Sequence, residues 1–198
     1  MPEPTTLRDL SGMPATPASL ADSTLIMIDC QNTYTRGVME LDGVGAALGE
    51  AAALLQRARS AGIPIVHIQH DSGEGSPYDI RAEIGQIAEQ VAPQGDEPVI
   101  VKEFPNSFVQ TELDERLKAL GAQNLVLAGF MTHMCVNSTA RGAFNLGYAP
   151  TVVASATATR ALPGPAGVVS SAALQSASLA AIADLFAIVV PDVGAIPD

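Results

Sequence analysis

The sequence has few residues that could cross-link the chain. It contains two cysteines and three histidines in 198 residues, and Cys30 and Cys135 form neither a CxxC pair nor a Cys/His cluster. That spacing argues against a disulfide framework and a zinc site, and it is typical of a reducing compartment. A chain of this length buries enough surface to fold without such links. We therefore expect residues 1–198 to form a single domain.

Basic residues are also scarce. Ten Lys and Arg residues stand against 21 Asp and Glu residues, which gives a formal net charge of −11 at pH 7. Such an acidic surface repels nucleic acid, so we expect no nucleic-acid partner. No apolar run approaches the roughly 18 residues of a membrane span, and the first residues lack the basic and apolar regions of a signal peptide. These absences predict a cytoplasmic protein that does not bind membranes.

Charged residues of both signs make up only 16% of the chain, whereas 47% of its residues are hydrophobic. Much of the apolar fraction is alanine, and the segment 170–185 combines alanine and leucine with almost no charge. A surface with so little charge favours contacts between subunits. We therefore expect a homodimer or a higher homo-oligomer.

Apolar runs alternate with helical patterns through most of the chain. Predicted strands cover 24–29, 64–69, 98–102, 124–128, 151–154 and 187–190, and predicted helices cover about 44–60, 111–120, 132–147 and 170–185. Strands that are apolar on both faces and separated by helices form parallel sheets with right-handed crossovers. The predicted fold class is α/β, an open, doubly wound, parallel sheet of about six strands flanked by helices. Its core would span about 24–190, after an N-terminal extension of residues 1–23.

Three chemically reactive side chains lie at the ends of predicted strands, namely Asp29, Lys102 and Cys135. Doubly wound sheets bind ligands beyond the carboxyl ends of their strands. Cys135 also falls in the first turn of a predicted helix, where free N–H groups and the helix dipole lower the pKa of a thiol. A carboxylate that accepts the thiol proton and an ammonium that stabilises the thiolate would complete a nucleophilic site. An inert buried cysteine and a structural Asp–Lys ion pair are the alternatives.

Three segments resemble motifs of the isochorismatase-like cysteine hydrolases. Residues 29–34 (Asp-Cys-Gln-Asn-Thr-Tyr) resemble the family's Asp-x-Gln-Asn-Asp-Phe, and residues 129–136 (Gly-Phe-Met-Thr-His-Met-Cys-Val) resemble its Gly-x-x-Thr-x-x-Cys-Val. Lys102 followed by Phe108 resembles its Lys-to-Ser-x-Phe segment. The likeness extends from about residue 24 to residue 190, and the three motifs together are specific although each alone is weak.

The resemblance implies a Cys–Asp–Lys triad on a six-stranded parallel sheet. Cys135 would be the nucleophile, Asp29 the base that takes the thiol proton and returns it to the leaving group, and Lys102 the charge that keeps Asp29 ionised. Family members also carry a non-proline cis peptide, which corresponds here to Phe130–Met131. The backbone N–H groups of Met131 and Cys135 would then form an oxyanion hole.

The resemblance also implies a substrate pocket that differs in part from the family pattern. The pocket would be lined by Gln31, Tyr34, Phe108, Thr132 and His133. Thr33 replaces the usual second aspartate, Tyr34 replaces a phenylalanine, and Asn106 stands where a serine is common. These departures concern the pocket wall more than the triad.

Nicotinamidase-like members of the family bind a metal through an Asp-x-His motif and a second histidine. His67, His70 and Asp71 lack that spacing, so we expect no metal and no other cofactor, and local hydrogen bonds for both histidines. His133 is two residues before Cys135 and would point away from it. Cys30 would lie in the core, on the opposite face from Asp29.

A long connection, residues 71–98, is rich in glycine and proline. Long connections in compact domains are frequently active-site lids. We expect this segment to cover the pocket and to set the choice of substrate.

The leading functional hypothesis is hydrolysis of a small molecule at a C–N bond of an amide, lactam or ureido group, through an acyl-enzyme on Cys135. Isochorismatase-type hydrolysis of a vinyl ether is one alternative, although true isochorismatases lack the cysteine. A redox-active thiol protein and a silent binding module are the others. Arg36, Arg81 and Arg160 are each able to bind a carboxylate group of a substrate.

Overall fold

The computed structural model describes residues 4–198, so the first three residues of the predicted N-terminal extension lie outside the described residues. Its strands are β1 (Ser23–Ile28), β2 (Ile65–His70), β3 (Val99–Lys102), β4 (Asn124–Phe130), β5 (Ala149–Ala158), β6 (Leu162–Gly164), β7 (Gly167–Val169) and β8 (Ile188–Val190). Six of them form one sheet in the order β3-β2-β1-β4-β5-β8, and all neighbouring pairs are parallel. The chain first winds from β1 to β3 and then reverses to the other side through β4. The predicted doubly wound α/β fold is confirmed.

The sheet is covered on both faces by helices. These are α2 (Val44–Ala61), α3 (Leu113–Ala119), α4 (Asn137–Asn145) and α5 (Ser171–Ala183), whereas the short helix α1 (Leu7–Leu10) has no buried residue. Successive residues of β1 point to opposite faces. Leu25 and Met27 therefore share a buried cluster with α2, whereas Ile26 and Ile28 share one with α3, α4 and α5. Burial on both faces explains why the strand is a continuous apolar run.

Two elements around β5 differ from the prediction. The strand runs over Ala149–Ala158 and so extends past the predicted 151–154, with a register shift against β4 between Leu127 and Gly129. After it, β6 and β7 form an antiparallel hairpin that was not predicted. The sequence did not indicate this hairpin because β6 contains Pro163, and proline normally argues against a strand.

The connection of residues 71–98 has two parts with different surroundings. Ala88 and Val91 are buried in the core cluster that contains α2, so the second part belongs to the core. The first part carries Tyr78, whose ring lies beside His70 at the carboxyl end of β2. Residues 71–82 are therefore the part of the connection for which the lid stays a prediction.

A partly buried charge cluster lies at the end of this connection. Glu97 binds Arg59 of α2 at 2.7 Å and His67 of β2 at 2.9 Å. The hydrogen bond from Arg59 lowers the pKa of Glu97 to about 2, and burial lowers the pKa of His67. The expected local role of His67 is thus what the structure shows.

The N-terminal extension packs against the C-terminal part of the chain. The backbone N–H of Arg8 donates to the carbonyl of Asp184 at 2.8 Å, and that of Leu20 donates to the carbonyl of Pro197 at 2.7 Å. Within residues 4–198, no helix combines the length and the apolar character needed to cross a membrane.

Candidate active site

Backbone geometry at the end of β1 brings two predicted site elements together. Gly129 of β4 pairs directly with Ile28 and has φ of +122°. A Cβ atom on Gly129 would lie 1.9 Å from the carbonyl oxygen of Ile28, so only glycine allows this approach. Asp29 follows with φ of +49°, in the left-handed region that aspartate tolerates better than most residues.

The three predicted catalytic side chains meet beyond the carboxyl ends of the strands. Asp29 follows β1, Lys102 ends β3, and Cys135 lies in a π-helical turn (Thr132–Val136) between β4 and α4. Lys102 Nζ lies 2.7 Å from Asp29 Oδ2 and 3.4 Å from Cys135 Sγ. The residues are 0%, 1% and 4% exposed in the order Asp29, Lys102, Cys135. The arrangement places a thiol, a carboxylate and an ammonium in mutual contact away from bulk water.

Electrostatics at the thiol differ from the expectation. Burial, followed by the neighbouring Asp29 carboxylate, raises the pKa of Cys135, and the Lys102 ammonium only partly opposes this. The predicted lowering by the helix N-terminus is therefore wrong, because desolvation of the thiolate outweighs it. Burial also raises the pKa of Asp29 against the effect of Lys102. Burial therefore favours the protonated form of the Cys135 thiol, and Lys102 Nζ lies at ion-pair distance from Asp29 Oδ2.

Two residues that the sequence did not assign to the site contact it. His70 Nδ1 lies 3.2 Å from Lys102 Nζ, and the ring of Tyr78 stands edge-on to His70 with centroids 4.9 Å apart. His70 and Lys102 are register partners at the ends of neighbouring strands. The sequence feature that could have assigned His70 to the site is its position at the end of strand β2.

The turn after β4 carries the expected backbone feature. The peptide bond between Phe130 and Met131 is cis. Thr132 is fully buried, and within residues 4–198 its Oγ1 has no hydrogen-bond partner. Thr132, three residues before Cys135, therefore carries a buried hydroxyl group without a hydrogen-bond partner in that range.

The other predicted pocket residues divide into two groups. Tyr34 is buried, and its hydroxyl lies 3.4 Å from that of Tyr78. His133 is half-buried and its Nδ1 lies 2.5 Å from Thr159 Oγ1, so it contacts neither Asp29 nor Cys135 through a hydrogen bond. Tyr34 and His133 therefore have hydrogen-bonding contacts with Tyr78 and Thr159.

Gln31 and Phe108 contact other parts of the fold. The side-chain amide of Gln31 is buried and bonds the backbone of His70 and the carbonyl of Gly85. Phe108 stacks on Tyr148 with ring centroids 5.8 Å apart. Tyr148 precedes β5 and so lies toward the amino edge of the sheet, opposite the triad.

The three arginines considered as carboxylate ligands differ in whether they form ion pairs. Arg36 pairs with Glu83, and Arg81 pairs with Asp71 and Asp79. Arg160 forms no ion pair with any residue of the described range 4–198, and its buried Nε lacks a hydrogen-bond partner there. Burial and, to a smaller extent, the nearby charge of Arg160 lower the pKa of His133.

The chain is similar to known proteins over most of its length. The family model of the Isochorismatase domain matches residues 23–191. The secreted isochorismatase effector Isc1 of Verticillium dahliae is 35% identical over 90% of this chain and 93% of its own length, and the ureidoacrylate amidohydrolase RutB of Stutzerimonas stutzeri is 29% identical over 73% and 75%. The crystal structure of an isochorismatase from Pseudomonas putida KT2440 covers 96% of this chain and 97% of its own, with a TM-score of 0.93 and 39% identity. The chain therefore belongs to the isochorismatase family and is a hydrolase.

Proposed function

We propose that this hydrolase cleaves a C–N bond of a small amide, lactam or ureido compound through an acyl-enzyme on Cys135. The observation that carries the proposal is the buried ammonium of Lys102, 2.7 Å from Asp29 and 3.4 Å from Cys135. Asp29 provides the proton acceptor and Lys102 provides the counter-charge that a nucleophilic thiol requires. The name of the relative RutB, an amidohydrolase, supports a C–N bond as the target.

In the first half of the reaction, Cys135 Sγ attacks the carbonyl carbon while Asp29 accepts the thiol proton. The ammonium of Lys102 stabilises the developing charge on sulfur. The backbone N–H groups of Met131 and Cys135 donate to the tetrahedral oxygen. Collapse breaks the C–N bond, Asp29 returns the proton to nitrogen, and the amine leaves a thioester behind.

In the second half, water attacks the thioester carbon and Asp29 accepts a proton from that water. The C–S bond then breaks, and the thiolate recovers the proton from Asp29. The product is a carboxylic acid, or a carbamic acid when the substrate is a ureido compound. One aspartate thus acts as base and then as acid in each half.

The raised pKa of Cys135 fits this sequence of steps. Because burial and Asp29 keep the thiol protonated at rest, proton transfer accompanies attack on a bound carbonyl. We propose that Thr132, His133 and Tyr34 border the substrate, and that Tyr78 of residues 71–82 covers it. No metal or other cofactor takes part in these steps.

Two assays test the proposal: ammonia release for primary amides and ureido compounds, and product mass spectrometry for lactams, whose ring opens without releasing ammonia. Intact-mass spectrometry of the protein detects an acyl adduct on Cys135. The panel should include neutral and carboxylate-bearing members because Arg160 lacks a partner within residues 4–198. We expect a hydrolysis product and an adduct with at least one compound class. Turnover of a vinyl ether that survives Cys135→Ala, or a reversible sulfenate with peroxide and no adduct with any amide, would assign another function.

A further inference from the structure

Lys102 is buried more completely than a lysine normally is. Its side chain is 0% exposed, and an ammonium in such a place needs an acceptor for each of its three protons. Asp29 Oδ2 lies 2.7 Å from Nζ, Cys135 Sγ lies 3.4 Å away, and His70 Nδ1 lies 3.2 Å away. The triad accounts for two of these acceptors, and His70 is the third.

We propose that His70 is a positioning residue, a role that rests on the proposed cysteine-hydrolase function. Its Nδ1 accepts the third proton of Lys102 and so holds the ammonium between Asp29 and Cys135. Only a ring nitrogen without a proton accepts, so the imidazole must be neutral with its proton on Nε2. Ser72 Oγ lies 2.9 Å from Nε2, and its hydroxyl oxygen is placed to accept that proton.

The surroundings of His70 hold the ring in this place. His70 ends β2 and is the register partner of Lys102. Gln31 Oε1 accepts from the backbone N–H of His70 at 2.9 Å, and Gln31 Nε2 donates to its carbonyl at 2.9 Å. The edge of Tyr78 covers the ring from residues 71–82. The glutamine of the Asp-x-Gln segment therefore connects Asp29 to the histidine that orients Lys102.

Charges around His70 keep it in the accepting state. Burial and the Lys102 ammonium lower its pKa below the ordinary value of 6.5, while Asp29, Asp71 and Glu103 act in the opposite direction. The ring is neutral at neutral pH as a result. Protonation in acid would turn Nδ1 from an acceptor into a donor and place a second cation beside Lys102.

Nitrogen NMR of the full chain labelled with ¹⁵N-histidine tests the tautomer directly. The protein has three histidines, so the signals of His70 are identified by their loss in His70→Asn. We expect the Nε2–H tautomer at pH 7.5 and a change in the Nδ1 shift in Lys102→Met. An Nδ1–H tautomer, an imidazolium, or an Nδ1 signal insensitive to Lys102→Met would overturn the assignment. This readout does not depend on any catalytic activity.

A matched pair of variants tests the functional consequence. His70→Asn keeps an acceptor, Oδ1, close to the place of Nδ1, whereas His70→Leu keeps the bulk and removes the acceptor. We expect His70→Leu to lower kcat about tenfold or more with KM within about threefold, and His70→Asn to retain kcat within about threefold. Equal kcat losses in the two folded variants would contradict the proposal, because a role in packing alone does not distinguish them.

Alkylation separates this proposal from the proposed function. In a Cys30→Ala background, the rate of iodoacetamide reaction at Cys135 should shift to higher pH in His70→Leu and stay in place in His70→Asn. An unshifted profile in His70→Leu would show that His70 does not position the ammonium. If the wild-type protein hydrolysed none of the compounds, the proposed function would fail while the NMR and alkylation results still decided the role of His70.

Discussion

At the scale of single residues, the site depends on a lysine that water does not reach. Removing one partner of a buried ion pair leaves a charge that must be neutralised or must move. Lys102 and Asp29 form such a pair with both side chains 0% exposed. Substitutions in this group therefore change the charge state of the neighbours as well as the group removed, and the tests below use that coupling.

Cys135→Ala should abolish hydrolysis and leave the fold intact. Alanine removes one sulfur atom from a buried position, so we expect a stability change within about 1 kcal/mol and a loss of kcat/KM of about 100-fold or more. The measurement is ammonia release together with a thermal melt. Cys30→Ala is the matched control, because Cys30 is buried in the core cluster and bonds neither Asp29 nor Lys102 in the structure. Activity above a few per cent in purified Cys135→Ala would exclude covalent catalysis through this residue.

Lys102→Met should move the alkylation of Cys135 to higher pH. The ammonium lowers the pKa of Cys135 and of Asp29, so its removal disfavours the thiolate and the carboxylate together. The measurement is the iodoacetamide reaction rate against pH, followed by intact mass in the Cys30→Ala background. Lys102→Arg should restore the profile poorly because the guanidinium is larger than the ammonium. An unchanged profile in Lys102→Met would place this lysine outside the site.

The positions of Asp29, Lys102 and Cys135 were predictable one by one, whereas their electrostatics were not. Asp29 follows an apolar strand, Lys102 ends one and Cys135 lies in the turn after one, and those positions are readable from the sequence. The depth of burial at Cys135 depends on how all neighbours pack, so the direction of its pKa shift was predicted wrongly. Phe108 matched a motif, yet its ring stacks on Tyr148, a contact set by tertiary packing.

At the scale of elements, the burial of a strand determined whether it could be predicted from the sequence. The central strands β1 and β4 are buried along nearly their whole length, and they produce continuous apolar runs. The edge strand β3 alternates exposed and buried residues and is short, but Val99 and Val101 still marked it. The hairpin of β6 and β7 is exposed and contains Pro163, so no periodic signal indicated it. The two-part character of residues 71–98 depends on long-range contacts that local patterns do not contain.

Between α2, β2 and this connection, Glu97 should make stability depend on pH. Its pKa is lowered from 4.5 to about 2 by Arg59. A lowered folded-state pKa gives stability that is present above pH 4.5 and is lost as the pH falls toward 2. The lowered pKa of His67 acts with the same sign, beginning below 6.5. We therefore expect the melting temperature to fall on acidification through these two ranges.

Glu97→Gln should lower the melting temperature at pH 7 and flatten its fall between pH 4.5 and pH 2. The reason is that the amide cannot ionise and binds Arg59 less strongly than the carboxylate does. Melts by circular dichroism across this range provide the measurement. Glu89→Gln is the control, since Glu89 is exposed on the same connection. A pH dependence in Glu97→Gln as steep as in the wild type would assign the acid sensitivity to other groups.

At the scale of the whole molecule, the surface is less uniform than its acidic charge suggests. Helix α5 has only Ser178 and Ile182 fully buried, and the rest is largely alanine and leucine. The neighbouring hairpin exposes Val168 at 80%. Apolar side chains grouped in this way are typical of interaction surfaces.

The cellular location of the molecule stays a prediction. The relative Isc1 carries a name that describes a secreted effector, whereas composition predicts a cytoplasmic protein here. Fractionation of the native host, followed by immunodetection of this chain in cytoplasm and medium, measures the location directly.

Self-association through α5 is the prediction that belongs to the molecule as a whole. We expect light scattering at micromolar concentration to give the mass of a dimer or a larger homo-oligomer, because the alanine-rich face of α5 offers no charge to oppose a second copy. Ala177→Glu, at an exposed position of α5, should reduce that mass toward 20.4 kDa. Ala53→Glu, at an exposed position of α2, should leave it unchanged and so controls for the added charge. A wild-type monomer with full activity would refute the oligomer, and a dimer that persists in Ala177→Glu would place the interface on another face.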